Sequence, residues 1–573
     1  MTKEKITKSR VIKRTAAKEE PTVKFVALGG LEEIGRNMMF FEYEDEIVII
    51  DAGLQFPEET TPGIDFIIPN VAYLETKKKN VKALIITHGH YDHIGAIPYI
   101  MEKIGNPPIY TTSLSKEIIN KRQEEFPNVP KLDFEIVKAG EDRQLSKNFK
   151  ARFFGVVHNI PEGIGIILET PVGKIVHPGE FKFDYDVEGN PRGLDTWKLV
   201  GEQKIHTLLL DSTGAEEPGW SMSERVVEAE LEKIFKVAEG RIIVSTFASL
   251  LDRIAEIIKI AEKLKRKVFI SGSSMKTNVQ IARNLGFMKI EKDVILPLED
   301  INKYRDDKIL ILCTGAQGEP QASMMKIASG EHPHIKTKRG DTVILSSSVI
   351  PGNERSVQVL RDDLARQGAI VYHYKMVDVH SSGHAPQEEL KTVMKMVKPK
   401  FFIPIHGYYF MRWRNAQLAQ EAISLNPEET VITDNGQIVL ITKDSIRNTD
   451  ESVPAFYVMV DGLGVGDVGE VVLRDRRVLA QEGMVVIIVT LDRHTGRFLK
   501  NPDIISRGFI YLKENKELVE ETRKKIRHLI SRIPFSQEPD ADYIKSLIRD
   551  QVGQFLYKKT KRRPMVLPVV IEV

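Results

Sequence analysis

Thr87-His88-Gly89-His90-Tyr91-Asp92-His93 is the stretch whose reading decides the fold. It follows an apolar run at 83–86 that reads as a buried strand, and it precedes a helix-like segment from Ile94. A strand end delivers side chains to the mouth of an α/β fold, where catalytic loops sit. His88, His90, Asp92 and His93 are all potential ligands, and a cation would neutralise and order such a cluster. Imidazole together with carboxylate suits zinc or manganese.

Further candidate ligands stand at similar strand ends. His158 follows the run 153–157, Glu180 comes after the run 174–176, and His406 follows the run 400–405. Short apolar runs at 24–28, 46–50 and 82–87 alternate with amphipathic helical patterns at 223–237 and 251–264. That mixture argues for an α/β architecture. A polar stretch at 443–452 before Pro454 reads as a linker. Beyond it, strands are expected at 468–473, 484–490 and 565–573, with a charged helix near 514–533, making a small α/β domain.

The chain has 573 residues, 42% of them hydrophobic and 28% charged, which is ordinary for a globular protein of about three domains. Net charge is only +2, from 82 basic and 80 acidic residues, so a strongly basic nucleic-acid coat is excluded while a local basic groove is not. The one cysteine, Cys313, rules out an internal disulfide framework and a cysteine-only zinc site, and it fits a reducing compartment. It lies beside the apolar run 309–312 and is expected in a core. No apolar stretch approaches the roughly 20 residues that span a bilayer. Residues 1–20 are polar and basic without an apolar h-region, and read as a flexible arm. His332-Pro333-His334 reads as a surface loop. The basic run 558–563 is either a solvated face or an RNA contact.

The ligand set resembles that of the metallo-β-lactamase superfamily. Asp211-Ser212-Thr213-Gly214-Ala215-Glu216, Ser382-Gly383-His384-Ala385 and Pro404-Ile405-His406-Gly407 resemble motifs A, B and C of the β-CASP nucleases. Ala27-Leu28-Gly29-Gly30, Glu33-Ile34-Gly35, Ile50-Asp51-Ala52-Gly53, Leu312-Cys313-Thr314-Gly315, Gln317-Gly318-Glu319-Pro320 and Ile350-Pro351-Gly352-Asn353 narrow the likeness to the ribonuclease J family. So do Val472-Leu473-Arg474-Asp475-Arg476-Arg477, Ile504-Ile505-Ser506-Arg507-Gly508-Phe509 and Lys558-Lys559-Thr560-Lys561-Arg562-Arg563-Pro564.

This resemblance implies an αββα metallo-β-lactamase sandwich with an inserted β-CASP α/β domain and a small C-terminal α/β domain. The boundaries implied are a flexible arm at 1–21, sandwich at 22–224 and 376–445, insertion at 225–375, linker at 446–455 and C-terminal domain at 456–573. It also implies two divalent metal ions per subunit, zinc first, manganese or magnesium as alternatives. His88, His90 and His158 would hold one, Asp92, His93 and His406 the other, with Glu180 as bridge. Two such ions about 3.5–4 Å apart can hold a phosphoryl oxygen and water together. His384 would be the general acid, oriented by Asp211, and RNA phosphates would meet Thr246, Phe247, Ala248 and Ser249 together with His380, Ser381, Ser382, Gly383 and His384.

The implied activity is that of a cytoplasmic 5′-to-3′ exonuclease on 5′-monophosphate RNA with endonuclease activity, acting in RNA maturation and decay. Implied partners are RNA, further copies of the chain in a dimer or tetramer through the C-terminal domain, and RNA-decay or ribosome-associated proteins, with no membrane. Three departures from the family stand out. Glu180 replaces the usual Asp, Tyr91 a usual Glu, and Leu250, Asp252 and Tyr408 replace an Asn, a His and a Glu. The Glu180 departure leaves an alternative: a catalytically weakened RNA-binding scaffold of the same fold.

Overall fold

The computed structural model describes residues 20–57, 60–186, 188–319, 321–350, 352–495, 497–511, 514–533 and 541–573. The expected N-terminal arm lies outside the described residues up to residue 19. The chain forms two compact units, residues 1–55 with 68–457, and residues 56–67 with 458–573.

The first unit is built on three sheets. One has eight strands in the order Ile446–Ser452, Gln437–Ile441, Val23–Gly29, Met38–Tyr43, Glu46–Ile50, Val81–Ile85, Ile109–Thr111, Phe134–Ile136. The second has six, in the order Phe401–Ile405, Thr207–Asp211, Gly173–His177, Ile164–Thr170, Lys150–Gly155, Asp142–Gln144. Alternation along these strands fixes the layers, because successive side chains point to opposite faces. Phe25, Phe41, Val48 and Ile85 of the first sheet bury against Phe153, Ile166, Leu209 and Ile403 of the second. The intervening residues Val176, Leu208, Leu210 and Phe402 turn the other way. They pack on Trp197 of helix Leu194–Gly201, Leu390 and Val393 of helix Gln387–Val397, and Leu418 of helix Tyr409–Ile423. This is the expected metallo-β-lactamase sandwich.

The third sheet is wholly parallel, in the order Ile295–Leu296, Lys267–Ser271, Ile309–Cys313, Ile242–Ser245, Thr342–Leu345, Ile370–His373. Its strands are continuous apolar runs, as a sheet covered on both faces requires. Cys313 is fully buried there, and burial pushes its thiol up to about 12. Helices Glu224–Val237 and Leu251–Lys263 flank this insertion.

The second unit centres on strands Asp503–Arg507, Met484–Leu491 and Met565–Glu572. One face of Met484–Leu491 (Val485, Ile487, Val489, Leu491) packs on helices Lys516–Ile530 and Ala541–Thr560 through Ile526, Ile530, Ile548 and Val552. Residues 56–67 belong with it. Asp65 N–H donates to Val460 O at 2.9 Å, and Ile64 and Ile67 pack with Met459 and Leu473.

Three sequence expectations need correction. The stretch at 446–452, read as linker, is the edge strand Ile446–Ser452, paired with Gln437–Ile441 through backbone hydrogen bonds that its polar side chains do not disturb. The strand expected at 468–473 is the start of helix Glu470–Glu482; Val471 and Val472 mimic a strand, yet of the three apolar residues only Leu473 is buried. His332-Pro333-His334 lies on an irregular loop with Pro333 and His334 exposed, as expected, but His332 itself is buried. Its Nδ1 accepts the N–H groups of His334 and Ile335 at 3.2 and 3.1 Å, which leaves Nε2–H to donate to Ser271 Oγ at 2.9 Å.

Candidate metal centre

The expected ligands converge from five strand ends. Strand Val81–Ile85 leads into His88, His90, Asp92 and His93, and Lys150–Gly155 leads into His158. Gly173–His177 leads into Glu180. Thr207–Asp211 ends on Asp211, and Phe401–Ile405 leads into His406. Asp211 and Ile405 are register partners on adjacent parallel strands, so Asp211 and His406 emerge side by side. His406 itself has φ +52°, and Gly407 follows at +122°, turning the chain from strand into helix.

Three groups of donor atoms form among the described residues, Asp211, His384 and His406 making one and the expected ligands the other two. Of these two, His88, His90, His158 and Glu180 make the first; Asp92, His93, Glu180 and His406 make the second. In the first, His90 Nδ1 lies 3.0 Å from His88 Nε2 and 3.3 Å from His158 Nε2. Nitrogens about 2.1 Å from one tetrahedral cation would be about 3.4 Å apart, so this spacing suits a shared ion. Glu180 reaches both groups. Its Oε2 is 3.1 Å from His158 Nε2 and 3.6 Å from His88 Nε2, while its Oε1 is 2.8 Å from His93 Nε2 and 2.9 Å from His406 Nε2.

The outer hydrogen bonds test whether these imidazoles can accept a cation. His158 Nδ1–H donates to Gly383 O at 2.8 Å and His93 Nδ1–H to Asp51 Oδ2 at 2.8 Å. His406 Nδ1–H is held by Thr213 Oγ1 at 2.7 Å and Asp211 Oδ1 at 3.2 Å. The Thr87 hydroxyl gives its proton to Asp51 at 2.9 Å, so its lone pair is left to accept from His88 Nδ1 at 3.0 Å. Each of these four rings therefore turns its Nε2 inward, the arrangement by which outer partners orient metal-binding histidines. The donor set fits a divalent cation.

The electrostatics divide the two groups. Burial and the neighbouring His158 depress His90 to about 3, and burial with His93 and His90 holds His88 well below the usual range. Burial would also lower His406 and His384, but carboxylates outweigh it. Glu180 and Asp211 push His406 up to about 10, and Asp211 and Glu180 raise His384.

His384 stands at the edge of this cluster, its Nδ1 2.7 Å from Asp211 Oδ2. The 380–384 loop divides by function. His380 is buried and lies outside the metal groups; its Nδ1 accepts from Arg253 Nη1 at 2.7 Å. The Ser381 hydroxyl has one proton, which it gives to Met222 O at 2.6 Å while accepting from Lys182 Nζ at 2.9 Å. Its oxygen has none left for a phosphate. Ser382 is exposed, and its Oγ accepts the His384 N–H at 3.2 Å, leaving its own proton free to donate. Gly383 packs so closely that a Cβ there would meet Asn159 and His158 at 2.4 and 2.7 Å. Of the residues at 246–249, Thr246 is buried and donates to Ser346 O at 2.9 Å, while Phe247, Ala248 and Ser249 are half-buried on the turn into helix Leu251–Lys263.

Sequence reading assigned no role to several residues that shape the site. Asp51 (φ +62°) follows strand Glu46–Ile50 and binds Thr87 N, Thr87 Oγ1 and His93, fixing the histidine motif. Its signal was a carboxylate closing an apolar strand beside the motif. Glu389, fully buried, accepts Phe183 N–H at 2.7 Å and Ser221 N–H at 2.8 Å, so it ties the Glu180 segment to the segment after Asp211. Nothing in its local sequence marks it.

Known proteins supply the remaining observation. Residues 31–203 match the metallo-β-lactamase superfamily and 239–364 the β-CASP domain of ribonuclease J. Residues 370–422 match a Zn-dependent metallo-hydrolase RNA specificity domain, and 471–573 the ribonuclease J C-terminal domain. The "Ribonuclease J 1" of Streptococcus pyogenes is 39% identical over 546 residues, 95% of this chain and 97% of that protein. The "Ribonuclease J2" of Bacillus subtilis is 34% identical over 558 residues, 97% of this chain and 100% of that protein. A solved protein of unknown function from Enterococcus faecalis shares the fold, at a TM-score of 0.50 and 16% identity, over 74% of this chain and 100% of that one.

Proposed function

This chain belongs to the ribonuclease J family and is a metal-dependent hydrolase of RNA, and we propose that it is a 5′-to-3′ exonuclease on 5′-monophosphate RNA that also cuts internally. The observation that carries this reading is the placement of Ser382 and His384. A hydroxyl with a free proton stands two residues from the proposed acid, on a loop whose Gly383 O is held by the proposed ligand His158. A 5′-monophosphate anchored at Ser382 gains charge-assisted hydrogen bonds. That end is thereby registered close to His384.

The residues take these parts. His88, His90 and His158 hold one cation and Asp92, His93 and His406 another, with Glu180 shared between them. Two zinc ions suit the donor set first, manganese or magnesium second. Bound there, such ions polarise the phosphodiester and activate water. Asp211 keeps His384 protonated and turned, so that its Nε2–H faces outward to the leaving 3′-oxygen. The alternative of a blunted scaffold draws on Glu180 standing in place of Asp, but the Glu180 oxygens reach both donor groups, which supports the enzyme.

We further place the protein in the cytoplasm, where a reduced Cys313 persists, acting in maturation and decay of RNA. It would act as a dimer or tetramer through the C-terminal domain, beside RNA-decay or ribosome-associated partners. Among the described residues no helix is long and apolar enough to cross a membrane. The test is digestion of one labelled RNA carrying 5′-monophosphate, triphosphate or hydroxyl ends, with the metal varied. Fast release of mononucleotides from the monophosphate form alone is expected. Equal rates on all three ends refute end recognition, and RNA that is bound but never cut under any divalent metal supports the scaffold.

A further inference from the structure

Beneath the 380–384 loop lies a charge cluster that the catalytic reading leaves unused. Lys182 comes two residues after Glu180, in the sandwich. Glu224 opens helix Glu224–Val237, and Arg253 lies in the first turn of helix Leu251–Lys263, both flanking the inserted sheet. The side chains of Lys182 and Arg253 are 1% and 2% exposed. Both bind one carboxylate. Lys182 Nζ is 2.7 Å from Glu224 Oε1, while Arg253 Nη2 is 2.7 Å from each Glu224 oxygen and its Nε 3.1 Å from Oε2.

The same two cations grip the loop. Arg253 Nη1 donates to His380 Nδ1 at 2.7 Å and to Ser346 Oγ at 3.4 Å; Ser346 Oγ in turn donates to Val379 O at 2.7 Å. Arg253 Nη2 donates to Ser381 O at 3.4 Å and Lys182 Nζ to Ser381 Oγ at 2.9 Å. So residues 379, 380 and 381 are each fastened to the cluster, and the fastening stops one residue before Ser382. Without Glu224, the two buried cations would lose the one carboxylate they share, although Asp252 also faces Lys182, and the loop they hold would shift. Small shifts matter here, since a misplacement of about 1 Å can slow catalysis about a hundredfold.

We propose that Glu224 and Arg253 are positioning residues that set the register of the RNA 5′-phosphate, by bracing the 379–381 segment from the inserted domain so that Ser382 meets the phosphate at a fixed distance from His384. The brace rests on the reading of Ser382 as the phosphate anchor. It makes end selectivity depend on Glu224, at the junction of the sandwich with the insertion, and on Arg253, within the insertion.

The test compares Glu224→Gln, Arg253→Met, Arg253→Lys and the double variant Glu224→Gln/Arg253→Met. Each is assayed on 5′-monophosphate RNA and on a circular RNA of the same sequence, with metal content and amide exchange at 379–384 measured alongside. The brace requires the ratio of end-initiated to internal cleavage to fall about tenfold or more, with metal content held and exchange at 381–384 faster. The double variant should be no worse than the worse single one, because both remove the same brace. Arg253→Lys should recover part of the ratio, since one ammonium can meet Glu224 but not His380 as well. An unchanged ratio and unchanged exchange overturn the proposal, as does an equal loss on both RNAs without faster exchange. Should Arg253→Met fail to fold, Glu224→Gln keeps the shape and carries the test. If the unaltered protein shows no preference for the monophosphate, the end-recognition reading fails; faster exchange in Glu224→Gln then upholds the brace and unchanged exchange refutes it.

Discussion

His384 and Asp211 are bonded Nδ1 to Oδ2 at 2.7 Å, and the other Asp211 oxygen lies 3.2 Å from His406 Nδ1. One buried carboxylate thus orients both the proposed acid and a proposed metal ligand. Its substitution should therefore disturb two functions, whereas loss of His384 disturbs one. For His384→Ala we expect the single-turnover rate to fall by about 10²–10⁴-fold with metal content and RNA binding kept. For Asp211→Asn we expect the rate to fall and metal content to fall with it. A normal single-turnover rate in His384→Ala removes it as the acid.

Glu180 spans the two donor groups, so shortening and neutralising it should differ. Glu180→Asp is expected to stay active. Glu180→Gln is expected to lose most activity together with at least one equivalent of metal, read by elemental analysis of the dialysed protein. Full metal content in Glu180→Gln would show that the carboxylate does not bridge.

The two serines of the loop should separate. The Ser382 hydroxyl is the free donor, and one hydrogen bond to a charged group is worth about 1.5–3 kcal/mol. Ser382→Ala should accordingly lower the monophosphate preference by about 10- to 100-fold while circular RNA is still cut. Ser381→Ala removes no donor to the phosphate but loosens the loop, and should raise exchange at 381–384. Identical behaviour of the two variants would contradict the assignment of their protons.

Asp51 holds His93 in place from behind. Outer partners of metal-binding histidines are typically worth about 10–100-fold in affinity or activity. Asp51→Ala should weaken metal binding on that scale, measured by competition with a chelator, and excess metal should restore part of the activity.

Cys313 is fully buried, with its thiol pushed up to about 12. A thiol reagent at pH 8 should leave the folded protein unmodified and react with one equivalent after denaturation. Rapid reaction of the native protein would place Cys313 outside the core.

The sequence displayed the proposed ligands because each follows an apolar run, and a strand end is a local signal. It could not display the residues that hold the segments around them. Lys182, Glu224, Arg253 and Glu389 are ordinary charged residues whose partners lie 29 to 206 positions away. Their pairing exists only after folding. The edge strand Ile446–Ser452 escaped notice because an edge strand needs backbone pairing and little burial; only its Ile446 is buried. Helix Glu470–Glu482 escaped because its β-branched start imitates a strand. Residues 56–67 gave no hint of joining the second unit, for no local pattern encodes a contact across four hundred positions.

The first sheet places strand Gln437–Ile441 directly beside Val23–Gly29, with Ile446–Ser452 outside it, and the proposed ligands run from His88 to His406 around an inserted domain. Synthesis on the ribosome is directional, and long-range pairings close late. The centre therefore cannot be completed in a growing chain until His406, the last proposed ligand, has emerged. A chain cut short before His406 would hold the first donor group whole and the second without its last member.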